Sequence, residues 1–191
     1  MDPNAISVVA IILAFLSGLS FYFSPDWLVL LPIGALLVIV SGYFDALDGK
    51  IARLAGKASK KGDFIDHVLD RYADVFMIGG VALSAWCDPF IGILAIVGVL
   101  LTSYMGTQAQ ALDAGRLYAG LLGRADRVVL MTAVPIIQWV VMFYHSGFFT
   151  LGPFTFSIME LMMIYFAVVG NLTALQRGVT IWRRLSDQER S

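Results

Sequence analysis

Apolar residues gather in six long stretches along the chain, at about 5–23, 27–44, 63–86, 89–111, 128–145 and 154–180, and most charged residues fall in or beside the breaks. Crossing a bilayer takes roughly 20 mainly apolar residues per helix, and each stretch is close to that length. The runs are too long for barrel strands, and in lipid a backbone must satisfy its own hydrogen bonds, which a helix does within one segment. The pattern predicts an all-α integral membrane protein of six transmembrane helices. The first stretch lacks a basic region before it and a clear small-residue cleavage site, so it is read as a permanent first span. No regular repeat, low-complexity tract or long linker divides the chain, and residues 1–191 are expected to form a single membrane domain. Composition agrees: hydrophobic residues are 59% and charged residues 14%, where soluble domains are about a quarter charged.

Charge placement gives the expected orientation. Lys50, Arg53, Lys57, Lys60, Lys61 and Arg71 lie in or beside the second break, Arg116, Arg124 and Arg127 belong to the fourth, and Arg177, Arg183, Arg184 and Arg190 to the C-terminal end. These are all thirteen basic residues, and Lys and Arg collect in cytoplasmic segments. Both termini and the basic connections are therefore expected in the cytoplasm of a multi-pass cell-membrane protein. The opposite connections are short and hold turn formers, as in Ser24-Pro25-Asp26 and Gly152-Pro153. The single cysteine, Cys87, excludes an intramolecular disulfide and is expected to be a packed apolar group.

The chemistry is acidic. Asp45, Asp48, Asp63, Asp66, Asp70 and Asp74 place six of the fourteen acidic residues in thirty positions. Asp45 and Asp48 share a face if the second helix continues through them, and Asp66, Asp70 and Asp74 share a face of the third. Like charges this close repel unless a cation neutralises them. Oxygen donors without His or Cys suit magnesium, manganese or calcium better than zinc. His67 lies between the acidic positions but points away from Asp66 and Asp70, and is expected to meet solvent, packing or a polar neighbour. The ordinary alternative, solvated carboxylates paired with Lys57, Lys60 and Lys61, competes with the cost of placing ionisable groups in a membrane, where they tend to be functional. Gly49 and Gly62 lie among the carboxylates and let a phosphate or nucleotide approach the backbone.

Residues 45–70 read Asp45-Ala-Leu-Asp48-Gly49-Lys-Ile-Ala52-Arg53, eight further residues, Gly62, three residues, Asp66, three residues, Asp70. This resembles the signature of the CDP-alcohol phosphotransferase (CDP-alcohol phosphatidyltransferase) family, DxxDGxxAR followed by GxxxDxxxD, with every fixed position filled. Within that family it is similar to phosphatidylinositol-phosphate and archaetidylinositol-phosphate synthases. The resemblance implies an enzyme of phospholipid biosynthesis that transfers a phosphatidyl-type group from CDP-diacylglycerol or CDP-archaeol to a polyol phosphate such as inositol phosphate, releasing CMP. It implies that Asp45, Asp48, Asp66 and Asp70 hold a pair of Mg2+ or Mn2+ ions and that Asp70 is the catalytic base. It places Gly49, Ala52, Arg53, Ser59 and Gly62 on the CDP-lipid, joined by Asn4 and Ser7 from a segment similar to the family's PNxxT-like start of helix one. The implied partners are a CDP-lipid, a small polyol acceptor, membrane lipid and a second copy of the chain, with no nucleic acid.

The acceptor is less sharply marked. Arg124 and Arg127 look like the family's helix-five pair and Arg177 like its helix-six arginine, which suits a phosphate-bearing acceptor. Ser103, Thr107 and Gln110 would line one helix face toward acceptor hydroxyls, or else make interhelical contacts. Gly106 and Gln108 stand where inositol-phosphate relatives carry basic residues, so glycerol phosphate or an unphosphorylated alcohol such as serine is the alternative acceptor. An ion or proton-coupled transporter predicts acidic residues deep in several helices, whereas here they cluster toward one face among glycines and Arg53. A non-catalytic lipid-binding scaffold has no need of four such carboxylates.

Overall fold

Each of the six apolar stretches contains a helix, and the break before the last one contains something more. The computed structural model describes the backbone of residues 3–54, 59–115 and 121–190, and the side chains of these residues except 3–5, 48, 49 and 51–54. Helix α1 spans Pro3–Phe23, α2 Leu30–Leu54, α3 Lys60–Ala82, α4 Pro89–Ala111, α5 Arg124–Val141 and α6 Ile158–Gln188. Between α5 and α6, strands β1 (Phe148–Leu151) and β2 (Phe154–Ser157) form an antiparallel hairpin with Phe148 opposite Ser157 and Leu151 opposite Phe154. Gly152 makes the turn with Pro153 and takes a φ of 62°, the left-handed conformation that tight hairpin turns draw from glycine.

The hairpin corrects the purely helical expectation. Residues 154–157, expected to open the sixth helix, are a strand. Ser157 then caps α6, its Oγ accepting the Glu160 N–H at 2.9 Å, which satisfies a donor the first helical turn leaves open. Asp88 does the same for α4, accepting from the Phe90 N–H at 2.8 Å, with Pro89 next to it at a position that needs no N–H.

Among the described residues four helices, α1, α2, α4 and α6, are long and apolar enough to cross a membrane. The other two, α3 and α5, are those carrying Asp66, Asp70 and Asp74, and Arg124 and Arg127. Large apolar side chains face outward around the bundle, among them Ile12, Leu36, Ile93, Val168 and Leu175. In water such a surface would drive association; against lipid tails it is at rest.

Between helices the structure uses what membranes reward, close backbone approach and hydroxyl bonds. Ser17 Oγ donates to Gly34 O at 3.0 Å and Ser41 Oγ to Ala10 O at 2.8 Å, so α1 and α2 run antiparallel. Gly18 and Gly80 let α1 and α3 cross so closely that a Cβ on either would collide with the other helix's backbone. Gly98 and Gly170 do the same for α4 and α6, where Thr102 Oγ1 donates to Gly170 O at 2.8 Å and Asn171 Nδ2 to Leu94 O at 3.0 Å. Phe21, Leu31, Ile78, Val99, Met131, Met163 and Phe166 fill the interior. The end of α2 is thereby brought beside α3 and the start of α5.

Candidate active site

The α2 helix does not stop at the apolar limit near residue 44 but runs on to Leu54, which puts Asp45 and the backbone of residues 48–53 on the same rod. Helix α3 starts at Lys60 because Ser59 caps it, its Oγ accepting the Gly62 N–H at 3.1 Å. Asp66 and Asp70 then fall one turn apart on the face turned to α2 and α5. Oxygen atoms of Asp45, Asp66 and Asp70 lie within 4.8 Å of one another. These carboxylates line a cavity of about 60 Å³ together with Ser7, Asp74, Arg71, Arg124 and Arg127.

Helix α5 supplies the counter-charge. Gly123 caps it, and the Asp126 carboxylate accepts the Gly123 N–H at 2.7 Å. That fixes the first turn, from which Arg124 reaches across the cavity. Its Nη1 donates to Asp70 Oδ2 at 3.0 Å, and its Nη2 lies 2.8 Å from Asp70 Oδ1 and also donates to Asp45. Burial weighs against the Arg124 charge, but Asp70, Asp45, Asp66 and Asp74 outweigh it and raise its pKa above the usual arginine value. Arg127 has the opposite balance: burial lowers its pKa, and Asp74 only partly offsets this.

The donor set fits a hard divalent cation. Three carboxylates converge with oxygen atoms only, no thiolate or imidazole joins them among the described residues, and a cation already sits on two of the three. His67, as expected, is turned elsewhere: it is exposed, with Nδ1 2.8 Å from Asp63 O.

Residues 1–182 match the family model for CDP-alcohol phosphatidyltransferase. The chain belongs to that family. Archaetidylinositol phosphate synthase of Methanothermobacter thermautotrophicus is 30% identical over 152 residues, 80% of this chain and 71% of that protein. The archaetidylinositol phosphate synthase of Pyrococcus horikoshii is 29% identical over 131 residues, covering 69% of this chain and 67% of its own length. Among solved structures, phosphatidylinositol phosphate synthase of Mycobacterium tuberculosis with CDP-DAG bound superposes with a TM-score of 0.74 at 22% identity, over 95% of this chain and 87% of that one. Another crystal of that enzyme, in complex with manganese and citrate, gives the same TM-score at 23% identity, over 95% and 83%. At such identity the likeness shows a shared fold.

Within this family fold the residues named from sequence separate into four groups. Asp45, Asp66, Asp70, Ser7, Arg124 and Arg127 meet at one cavity. Asp48, Gly49, Ala52, Arg53 and Asn4 lie on helical backbone, with side chains outside the described residues. Ser59 and Gly62 are engaged with each other at the start of α3. Ser103, Thr107, Gln110 and Arg177 do not line the cavity. Thr107 Oγ1 donates to Tyr104 O at 2.8 Å, and Arg177 Nη1 donates to Thr102 O at 2.7 Å with Gly106 beside it. Arg71, which the sequence marks only as a basic residue near a connection, lines the cavity, Nη2 3.5 Å from Asp70 Oδ2. Its adjacency to Asp70 in the chain was the available signal.

Proposed function

We propose that the chain transfers a phosphatidyl-type group from CDP-diacylglycerol or CDP-archaeol to a hydroxyl of a polyol phosphate such as inositol phosphate, releasing CMP. The observation that carries this reading is the convergence of Asp45, Asp66 and Asp70 on one cavity, faced by Arg124, in a member of this family. The acceptor follows the names of the relatives, archaetidylinositol phosphate and phosphatidylinositol phosphate synthases.

Asp45, Asp66 and Asp70, with Asp48 from the same face of α2, hold a pair of Mg2+ or Mn2+ ions. When bound, such ions neutralise phosphate charge and stabilise a leaving oxygen. The Asp70 carboxylate takes the proton of the acceptor hydroxyl as that oxygen bonds to the lipid-side phosphorus and the bond from phosphorus to the CMP oxygen breaks. Asn4, Ser7, Gly49, Ala52, Arg53, Ser59 and Gly62 receive the nucleotide and its phosphates. Arg124, Arg127 and Arg177 receive the acceptor phosphate, for which a forked guanidinium is well shaped, while Ser103, Thr107 and Gln110 meet its hydroxyls. The one-sided basic residues support six spans, with both termini and the cavity mouth on the cytoplasmic side of the cell membrane. There the donor's tails stay in lipid while its diphosphate enters the cavity. Residues 1–191 act as one domain, and two copies pair as a homodimer.

Gly106 and Gln108 favour a second reading in which glycerol phosphate or serine is the acceptor. An acceptor panel separates the two: purified protein with CDP-lipid and inositol phosphate, glycerol phosphate, inositol, glycerol or serine, scored by lipid product and CMP. Inositol phosphate is expected to give the phosphorylated inositol lipid. A product from glycerol phosphate or serine alone would replace it with the second reading.

A further inference from the structure

One turn beyond Asp70 on the same face of α3 stands Asp74, which is not among the converging metal-site carboxylates. It faces Arg127: Nη2 lies 3.1 Å from Asp74 Oδ2, and the arginine side chain is only 6% exposed. The pairing is electrostatic and geometrically poor, since Asp74 Oδ2, Arg127 Nε and Arg71 Nε are buried with no hydrogen-bond partner among the described residues. A buried pair held this way is a weak source of stability, because desolvating both charges costs about what their attraction returns. Helices α3 and α5 scarcely approach each other backbone to backbone, so it is these long side chains that bridge the cavity.

The arrangement makes sense as a distribution of charge. Arg71 straddles the two carboxylates, with Nη2 3.5 Å from Asp70 Oδ2 and Nε 3.9 Å from Asp74 Oδ2. Arg124 already engages Asp70. If Asp74 were neutral, Arg127 would be a buried cation without an anion, and Asp70, one turn along the same helix face, would be the nearest to take it. Each further guanidinium on Asp70 opposes a divalent cation there.

We propose that Asp74 is a positioning residue: it holds Arg127, and the near side of Arg71, away from Asp70 and so keeps the Asp70 oxygens open to the divalent ion. This rests on the metal-dependent reading above. It assigns Asp74 a task although the residue touches neither donor nor acceptor in the proposed reaction.

The test is direct binding of Mn2+ to the purified full chain in detergent, by calorimetry or by the loss of the free-ion paramagnetic resonance signal, with no substrate present. Asp74→Asn is expected to raise the Mn2+ dissociation constant about tenfold or more, the usual scale for loss of a residue supporting a metal ligand. Asp74→Asn combined with Arg127→Gln removes the released cation and is expected to bind Mn2+ within about twofold of the native chain, an effect that simple loss of folding would not produce. Equal Mn2+ affinity in native and Asp74→Asn protein would overturn the role of Asp74 alone, as would a double variant as weak as the single one. Absence of Mn2+ binding by the native chain would overturn the metal reading as well. Should Asp74→Asn not fold, Arg127→Gln alone decides: binding at least as tight as native is expected, and weaker binding would overturn the proposal.

Discussion

The two ends of this helix bundle are both polar, and they are built in opposite ways. At the hairpin end the buried polar groups are neutral and matched: Trp86 Nε1 donates to Ser24 Oγ at 2.8 Å, Ser157 Oγ to Trp86 O at 2.7 Å, and Gln138 Nε2 to Gly147 O at 2.9 Å. Gln138 Oε1 also accepts the Ile158 N–H at 2.9 Å, so this fully buried amide ties α5, the approach to the hairpin and the start of α6 together. At the carboxylate end the groups are charged, crowded and imperfectly matched, with Asp74, Arg71 and Arg127 each leaving a buried polar atom without a partner among the described residues. Satisfied neutral networks fix a structure. Charged groups held in poor balance are a cost that stability alone does not explain, and such costs concentrate where a protein does chemistry.

That contrast predicts that damage to the two ends should separate into lost turnover and lost stability. The largest effect belongs to Asp70→Asn, expected to reduce CMP release by about 100-fold or more, the scale of general acid–base catalysis, while CDP-lipid binding, measured by equilibrium dialysis in detergent, is largely kept. Turnover near the native rate would remove Asp70 as the base. Next comes Gln138→Leu at the other end. Leaving Gly147 O and Ile158 N unpaired in the interior should cost about 1–3 kcal/mol, read as a lower melting temperature, with turnover per folded molecule within about twofold of native. A large loss of turnover without loss of stability would collapse the distinction between the ends.

How much of this was legible in the sequence follows the same division. The carboxylate end was marked by spacing, because Asp66, Asp70 and Asp74 at intervals of one turn, and Asp45 with Asp48, can only share helix faces. The arginine partners were not legible as partners: Arg124 meets Asp70 and Arg127 meets Asp74 across gaps of more than fifty residues, and only the packing of α2, α3 and α5 brings them together. The hairpin escaped because Phe-Thr-Phe at 154–156 is as apolar as the helix that follows, and its polarity is spent on pairing with β1 rather than on side chains that could be counted. The α2 helix runs past the apolar stretch that ends near residue 44, and Asp45, although charged, faces the carboxylate-lined cavity there.

Two smaller effects also separate the ends. Arg177→Ala removes a guanidinium from outside the cavity and is expected to raise the acceptor KM by about tenfold with the CDP-lipid KM unchanged, the cost of one charge-assisted contact. An equal rise in both would assign Arg177 to the α4–α6 contact, where its Nη1 already bonds Thr102 O. Smallest is the effect of pH on Cys87, near the hairpin end. Burial, with the negative charges of Glu160 and Asp88, pushes its thiol up to about 12. Because the shift is upward, the thiol stays protonated through the physiological range and gains thiolate only as pH rises toward that value. Maleimide labelling at pH 8 should therefore be at least about 100-fold slower in native than in denatured protein, and fast native labelling would show that end to be open.

Metal-dependent transfer from a CDP-lipid at the converging carboxylates can be read in one assay on the purified chain. Labelled inositol phosphate is supplied with CDP-lipid, before and after chelation, and product lipid and CMP are counted together. One CMP for each lipid product is expected, with loss of both on chelation and recovery on adding Mn2+ or Mg2+. Transfer that persists undiminished after chelation, or no transfer with either ion present, would contradict it.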